Sequence, residues 1–291
     1  MATRSQWIAG ARPRTLPAAL APVLLGSSIA QYSNQFSFGI SMCALVVAVA
    51  LQVGVNYAND YSDGVRGTDD VRVGPVRLVG QGLADPKAVK RAAFLSFFLA
   101  ACAGIGMTLL SGLWVLIPIG ITAIIAAWFY TGGAKPYGYA GFGEVFVFVY
   151  FGLVAVCGTS AAQIGQVTAL SIIAGCACGL LSTAILLVNN LRDIPSDKVA
   201  GKRTLAVRIG ERNTRKLYVA TVLISILLAL PMAQLGPEFA IVGVFAIFTA
   251  WQPIRIVLGK TTGRMLIPAL VGTGQTLLVF ALITSFGILN S

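Results

Sequence analysis

Histidine does not occur anywhere in the 291 residues, which excludes a Ser-His-Asp or Cys-His nucleophile pair and any His-ligated zinc or haem within this chain. Charge is scarce as well: 11% of residues are Asp, Glu, Lys or Arg, against about 25% in soluble domains. Cysteine is limited to Cys43, Cys102, Cys157, Cys176 and Cys178, all inside apolar runs and none in a Cys-x-x-Cys spacing, so these five read as helix-packing residues. What fills the space is apolar: 57% of the chain, with a mean hydropathy of +0.83. A water-soluble fold of this size cannot hide so much apolar surface, so a secreted disulfide domain, a disordered tail and an ordinary soluble enzyme are excluded. The composition is that of an all-α polytopic membrane protein.

Nine apolar stretches lie near 16–34, 38–59, 92–111, 113–131, 142–159, 168–190, 217–235, 239–258 and 266–288. Each approaches the ~20 residues a helix needs to cross a hydrocarbon core, which predicts nine transmembrane helices and a single integral-membrane domain over 1–291. The first stretch superficially resembles a cleavable signal peptide, but Pro17 and Pro22 interrupt it and eight more spans follow. All 21 Lys and Arg precede the first span or fall in or beside the connections after the second, fourth, sixth and eighth. The positive-inside rule then gives a cytoplasmic N-terminus and a C-terminus on the opposite side. This sorting accounts for the net charge of +11 beside membrane lipid and removes nucleic acid as a partner.

Six of the ten carboxylates form two clusters: Asp60, Asp63, Asp69 and Asp70 after the second span, and Asp193 and Asp197 after the sixth. The segments read NYANDYSDGVRGTDD from Asn56 and NNLRDIPSD from Asn189, and both emerge on the cytoplasmic face. Asn56 and Asp60, Asn189 and Asp193, and Asp193 and Asp197 are four apart, so on continuous helix each pair shares a face. Crowded carboxylates at a membrane boundary require cations. Salt bridging to Arg66, Arg192 or Lys198, or simple solvation, would satisfy one cluster; two of the same type on one face argue for more. Hard oxygen donors without His or Cys suit Mg2+ or Mn2+. Arg66, Arg72 and Arg77 flank the first cluster, and Lys198, Lys202, Arg203 and Arg208 the second, enough positive charge to hold a diphosphate. A third cytoplasmic connection, YTGGAKPYGYAGFGE from Tyr130 to Glu144, is rich in glycine and brings Tyr130, Lys135 and Tyr139 within reach of a shared site. Together these features point to metal-assisted departure of diphosphate from a lipid-borne substrate.

NDYSD, NNLRDIPSD followed by GKRTLAVRIG, and the nine spans together resemble the UbiA superfamily of intramembrane aromatic prenyltransferases. The opening WIAGARPRTLPAALAPVLLG, with NDYSDGVRGTD and GKRTLAVRIG, is most similar to the branch of that family acting on 1,4-dihydroxy-2-naphthoate in menaquinone synthesis. The resemblance implies helices around a central cavity, cytoplasmic cap loops, a lateral opening for the prenyl tail and a place in the bacterial inner membrane. It implies that Asn56, Asp60, Asp63, Asp193 and Asp197 hold Mg2+ (or Mn2+) bridging the diphosphate, the four aspartates being catalytic together with Tyr139. Arg66, Tyr130, Lys135, Lys202 and Arg203 would contact the diphosphate or substrate. Where the family pattern continues with a further Asp, this chain has Gly67, and Asp69 stands two residues on as a substitute.

The reaction implied is ionisation of an allylic polyprenyl diphosphate, attack by the naphthoate ring and loss of carbon dioxide, giving demethylmenaquinone. Asp60→Ala or Asp193→Ala is expected to abolish it in a folded protein. Other acceptors remain open, among them 4-hydroxybenzoate, homogentisate, a phosphoribosyl group or haem. A divalent-cation transporter is the alternative from another class, although both carboxylate clusters lie at one face and none lies in mid-span. The Asp-Gly-x-x-Ala-Arg pattern of a CDP-alcohol phosphotransferase is missing.

Overall fold

The computed structural model describes residues 2–67 and 76–291. Among them the only regular structure is helical. A short helix α1 (Arg4–Ala11) precedes α2 (Pro17–Tyr32), α3 (Phe38–Val65), α4 (Pro86–Ser111) and α5 (Leu116–Phe129). There follow α6 (Gly143–Ile164), α7 (Ala169–Val199), α8 (Leu205–Gln234), α9 (Glu238–Leu258) and α10 (Gly263–Leu289).

Each expected span thus corresponds to one of the helices α2 to α10. Seven of these are long and apolar enough to cross a membrane; α2, with 16 residues, and α5, with 14, are shorter than the spans expected there. Local chemistry sets the ends. Ser37 caps α3 by accepting from Ile40 N, Asp85 caps α4 by accepting from Lys87 N ahead of Pro86, and Thr168 and Ser171 form a reciprocal cap on α7. Helix α3 runs past its expected end at 59 to Val65, so Asp60 and Asp63 lie on continuous helix. It stops at Gly67, whose φ of +70° a glycine adopts freely and an aspartate does not; this is a physical reason for the departure from the family pattern. Asp69, Asp70 and Arg72 lie outside the described residues.

The largest core cluster joins α2, α7, α8, α9 and α10 around Leu25, Leu181, Tyr218 and Phe280. A smaller one joins α3 and α4 around Tyr57, Leu78 and Phe97. Helix α5 packs chiefly on α3 and α4, whereas α6 packs chiefly on α7 and α2. The helices therefore curve around a central space, with α5 on one wall and α6 on another. Arg215 of α8 ties one end together by donating to Val257 O and, at 2.6 Å, to Thr261 O, which satisfies carbonyls at the end of α9.

Candidate active site

The space enclosed by α2 to α7 and the start of α10 is a cavity of about 1110 Å³. It runs along α3 from Ala44 to Asp63, which on helical rise is roughly 28 Å. Towards Ala44 its walls are apolar, formed by residues such as Val47, Met107, Leu116, Ile119 and Ile172. Towards Asp63 they become polar and charged.

Not every motif residue reaches that polar end. Asn56 and Asp63 are seven apart, nearly two full turns, and both line the cavity; Asn190 and Asp197 repeat the spacing on α7 and do the same. Asp60 and Asp193 fall between these pairs and are rotated off the line by roughly 40–60°. Neither lines the cavity. The Asp60 carboxylate accepts from Leu78 N at 2.7 Å and Val79 N at 3.0 Å, fixing the connection that leads to α4. Asp193 holds Arg192 in a bidentate pair, with Nε to Oδ1 and Nη2 to Oδ2 both 2.7 Å, while Arg192 Nη2 also donates to Asn189 Oδ1 at 2.7 Å. It is Arg192, so oriented, that reaches the cavity wall. Alanine at Asp60 or Asp193 thus removes a structural bond as well as a carboxylate.

Asp63 is the centre of the polar end. It is 2% exposed, accepts from the Tyr139 hydroxyl, and faces Lys202 Nζ at 3.2 Å and Arg77 Nη2 at 3.6 Å. Lys202 arrives there through the way α7 ends. Gly201 takes a φ of +70°, Gly201 N donates to Lys198 O at 3.2 Å, and Lys202 N donates to Asp197 O at 2.8 Å, the paired bonds of a Schellman motif. The chain turns back sharply and sets the Lys202 ammonium 4.5 Å above the Tyr139 ring and beside Asp63. Lys202 therefore joins the two acidic segments, donating its backbone N–H to the main-chain carbonyl of Asp197 and its ammonium to the Asp63 carboxylate. Tyr139 is fixed in turn by Arg203 N, which donates to Tyr139 O at 2.8 Å.

Six of the expected site residues, Asn56, Asp63, Tyr130, Tyr139, Asp197 and Lys202, meet on the cavity wall. Burial, reinforced by the neighbouring Glu144 carboxylate, holds the Tyr130 phenol far above its ordinary pKa, so it is neutral at physiological pH. Arg66, Lys135 and Arg203 are exposed and are not part of the wall. Arg66 has a scaffolding place: it donates to Thr131 O and Gly133 O and lies 5.4 Å from the Tyr139 ring centre, pinning the Tyr130 connection to α3.

Several wall residues escape a reading by motif. Arg12, Arg14 and Thr15 reach the cavity from the segment before α2, where their charges read as a topological signal. Arg12 adopts a left-handed backbone (φ 56°), a conformation costing a non-glycine residue about 1–2 kcal/mol. The flanking Pro13, which disfavours α-helical backbone at the residue before it, is a local sign of this turn. Asn56 Nδ2 anchors the segment by donating to Ala11 O at 2.9 Å and Thr15 Oγ1 at 3.1 Å, while Gln52 Nε2 donates to Thr15 Oγ1 at 2.7 Å. Asn59 and Thr131, bonded to each other at 2.8 Å, complete this side.

Tyr139→Phe is expected to lower turnover about tenfold, because it frees Asp63 from one donor while leaving the ring beneath Lys202 in place. Product formation per folded enzyme measures it, and an unchanged rate would make the hydroxyl incidental.

A cationic, carboxylate-bearing end opening into a long apolar space suits an anion with a hydrocarbon tail, which defines the class as an intramembrane enzyme for an amphiphilic substrate. Sequence comparison gives the family: the UbiA prenyltransferase family matches residues 19–266, and the chain belongs to it. The chain is 50% identical over 282 residues to a 1,4-dihydroxy-2-naphthoate octaprenyltransferase of Mycobacterium tuberculosis, covering 97% of this chain and 96% of that relative. It is 39% identical over 236 residues to the protein of the same name from Escherichia coli, covering 79% and 76%. Among solved structures, a UbiA homologue from Archaeoglobus fulgidus bound to DMAPP and Mg2+ shares the fold with a TM-score of 0.70 at 15% identity, covering 98% of this chain and 99% of that one.

Proposed function

We propose that the protein transfers a polyprenyl group from an allylic polyprenyl diphosphate to 1,4-dihydroxy-2-naphthoate with decarboxylation, forming demethylmenaquinone. The observation that carries the reading is the junction of the two halves of the cavity, where the buried Asp63–Lys202 ion pair and Asp197 line one wall and open into an apolar space long enough for an isoprenoid tail. The names of the relatives at 50% and 39% identity support the acceptor.

The donor set fits a divalent cation. Asn56, Asp63 and Asp197 offer oxygen donors on the wall, and Asn56 has its Nδ2 engaged with the N-terminal segment, leaving Oδ1 for a ligand. Among the described residues no three His, Cys, Asp or Glu gather into a closed cage. That suits an ion such as Mg2+, which takes one or two carboxylates and completes its shell with water and phosphate oxygens. Bound there it would supply Lewis-acid stabilisation of the leaving diphosphate.

The protein groups do the rest. Lys202, Arg77 and Arg192 bind the diphosphate oxygens and stabilise the charge that grows as the allylic C–O bond breaks. The apolar walls keep water from the allylic cation, so the electron-rich ring attacks it and a C–C bond forms. The carboxylate at the attacked carbon leaves as carbon dioxide, and its bonding pair restores aromaticity. No general base has to remove a ring proton, which suits a chain without histidine. The basic connections support a cytoplasmic setting for this end, with the N-terminus inside and the C-terminus outside, and the relatives' bacterial origin supports a bacterial inner membrane.

The test is mass spectrometry of products from purified, detergent-solubilised protein given 1,4-dihydroxy-2-naphthoate, a polyprenyl diphosphate and Mg2+, with an EDTA control. We expect a demethylmenaquinone product that EDTA abolishes. Turnover only with another aromatic acceptor overturns the acceptor, and product formation that survives EDTA overturns the metal requirement.

A further inference from the structure

Glu144 belongs to neither aspartate cluster, yet it is 5% exposed at the start of α6. Its backbone carbonyl accepts from Thr183 Oγ1 at 3.3 Å, and its Oε1 accepts from Asn190 Nδ2 at 2.9 Å. Among the described residues, its other oxygen, Oε2, is buried with no hydrogen-bond partner and no cation pairs with the carboxylate. Such a group is strongly unfavourable where it stands, and a wholly apolar contact between α6 and α7 would pack as well. What it does achieve is to orient Asn190.

Asn190 is 8% exposed and lines the cavity two turns before Asp197 on the same face of α7. A side-chain amide carries a donor end and an acceptor end, and unrestrained it presents either. The carboxylate of Glu144 accepts and so fixes the donor end towards α6. The amide oxygen is then turned away from α6 and is the acceptor that Asn190 offers the cavity. A diphosphate is all acceptors and gains nothing from that oxygen, and an isoprenoid tail has no polar group. The aromatic acceptor brings phenolic hydroxyls, which donate.

We propose that Glu144 is a positioning residue for the aromatic acceptor: through Oε1 it holds Asn190 with its amide oxygen turned into the cavity, where that oxygen accepts from a phenolic hydroxyl of the ring to be prenylated. The proposal rests on the prenyl-transfer reading above. It assigns acceptor recognition to α7, on the same face as Asp197 but two turns deeper in the cavity.

The experiment is steady-state kinetics on Asn190→Ala, Glu144→Leu, Glu144→Gln and the Glu144→Leu/Asn190→Ala double variant, each checked for a monodisperse elution profile in detergent. Loss of one hydrogen bond to the acceptor is expected to raise KM for the naphthoate about tenfold in Asn190→Ala and in Glu144→Leu. KM for the prenyl diphosphate and the Mg2+ concentration needed for half-maximal rate should stay where they are. Glu144→Gln, whose amide oxygen still accepts from Asn190 Nδ2, should hold the acceptor KM within about threefold of wild type. The double variant should be no worse than Asn190→Ala alone, because both changes remove one interaction. A Glu144→Leu protein with unchanged acceptor KM, additive effects in the double variant, or a change in Mg2+ requirement instead of acceptor KM overturns the proposal. Should Glu144→Leu fail to fold, Glu144→Gln and Asn190→Ala still decide it. Wild-type enzyme that ignores the naphthoate would strike the functional reading instead, and the same variants are then measured with the aromatic acceptor it does use.

Discussion

Asp63→Ala is expected to reduce product formation at least a hundredfold, the scale on which removing a key electrostatic group from an enclosed site acts. Three groups face this carboxylate: the Tyr139 hydroxyl, the Lys202 ammonium and the Arg77 guanidinium. The substitution also leaves Lys202 and Arg77 close together and buried, so part of its effect will be on stability. Asp63→Asn separates the two. Its amide oxygen still accepts from Tyr139 and Lys202, so the detergent-solubilised protein should lose less stability than Asp63→Ala, whereas the negative charge that a divalent cation needs is gone. We expect turnover of Asp63→Asn to fall as far as that of Asp63→Ala. An Asp63→Asn enzyme working within tenfold of wild type would remove Asp63 from the chemistry.

Gly152→Ala should cost about 3 kcal/mol, the upper range for forcing a methyl into a packed interface, and lower the thermal transition by roughly 10 °C. Gly152 lies within a π-helical stretch of α6, Val149–Val154, where that helix meets α7. A Cβ there would collide with Gly175 O and sit 2.5 Å from Gly179 Cα. Backbone meets backbone at this point, so no side chain can turn aside to make room; the helices must part. Small residues at a membrane-helix crossing are what allow such an approach. Gly158→Ala is the control, since a Cβ at that position of the same helix meets nothing within 4 Å. Unfolding monitored by intrinsic fluorescence in detergent compares the two, and equal melting would show that α6 and α7 adjust freely.

Much of the architecture was legible because its cause is local. A run of apolar residues with basic residues at one end specifies a span and its direction whatever surrounds it. All nine expected spans are helices, although α5 shrinks to 14 residues and α3 extends to Val65. The site was legible in part. Asn56, Asp63 and Asp197 were found by residue type and spacing, and all three line the cavity. Asp60 and Asp193, chosen by the same spacing, are turned some 40–60° to the side away from the cavity, where the amides of Leu78 and Val79 and the Arg192 guanidinium meet them. On a helix enclosed on several sides, that rotation is the difference between a cavity and a neighbouring backbone. Glu144 passed unnoticed for the opposite reason: one isolated carboxylate has no pattern, and its partner is Asn190, 46 positions away.

By itself, then, the sequence determined the membrane class, the helices and their basic ends, the two acidic segments at one end of the helices, and the exclusion of histidine-based catalysis. These follow from transfer free energies, helical period and donor type, which each segment carries with it. The tertiary structure alone decided which face of α3 and α7 meets the cavity, that the amides of Leu78 and Val79 claim Asp60, that Arg192 claims Asp193, and that the turn at Gly201 brings Lys202 onto Asp63. Those outcomes depend on which polar groups burial forces together from distant parts of the chain, and that pairing is settled only when the helices close around a common space.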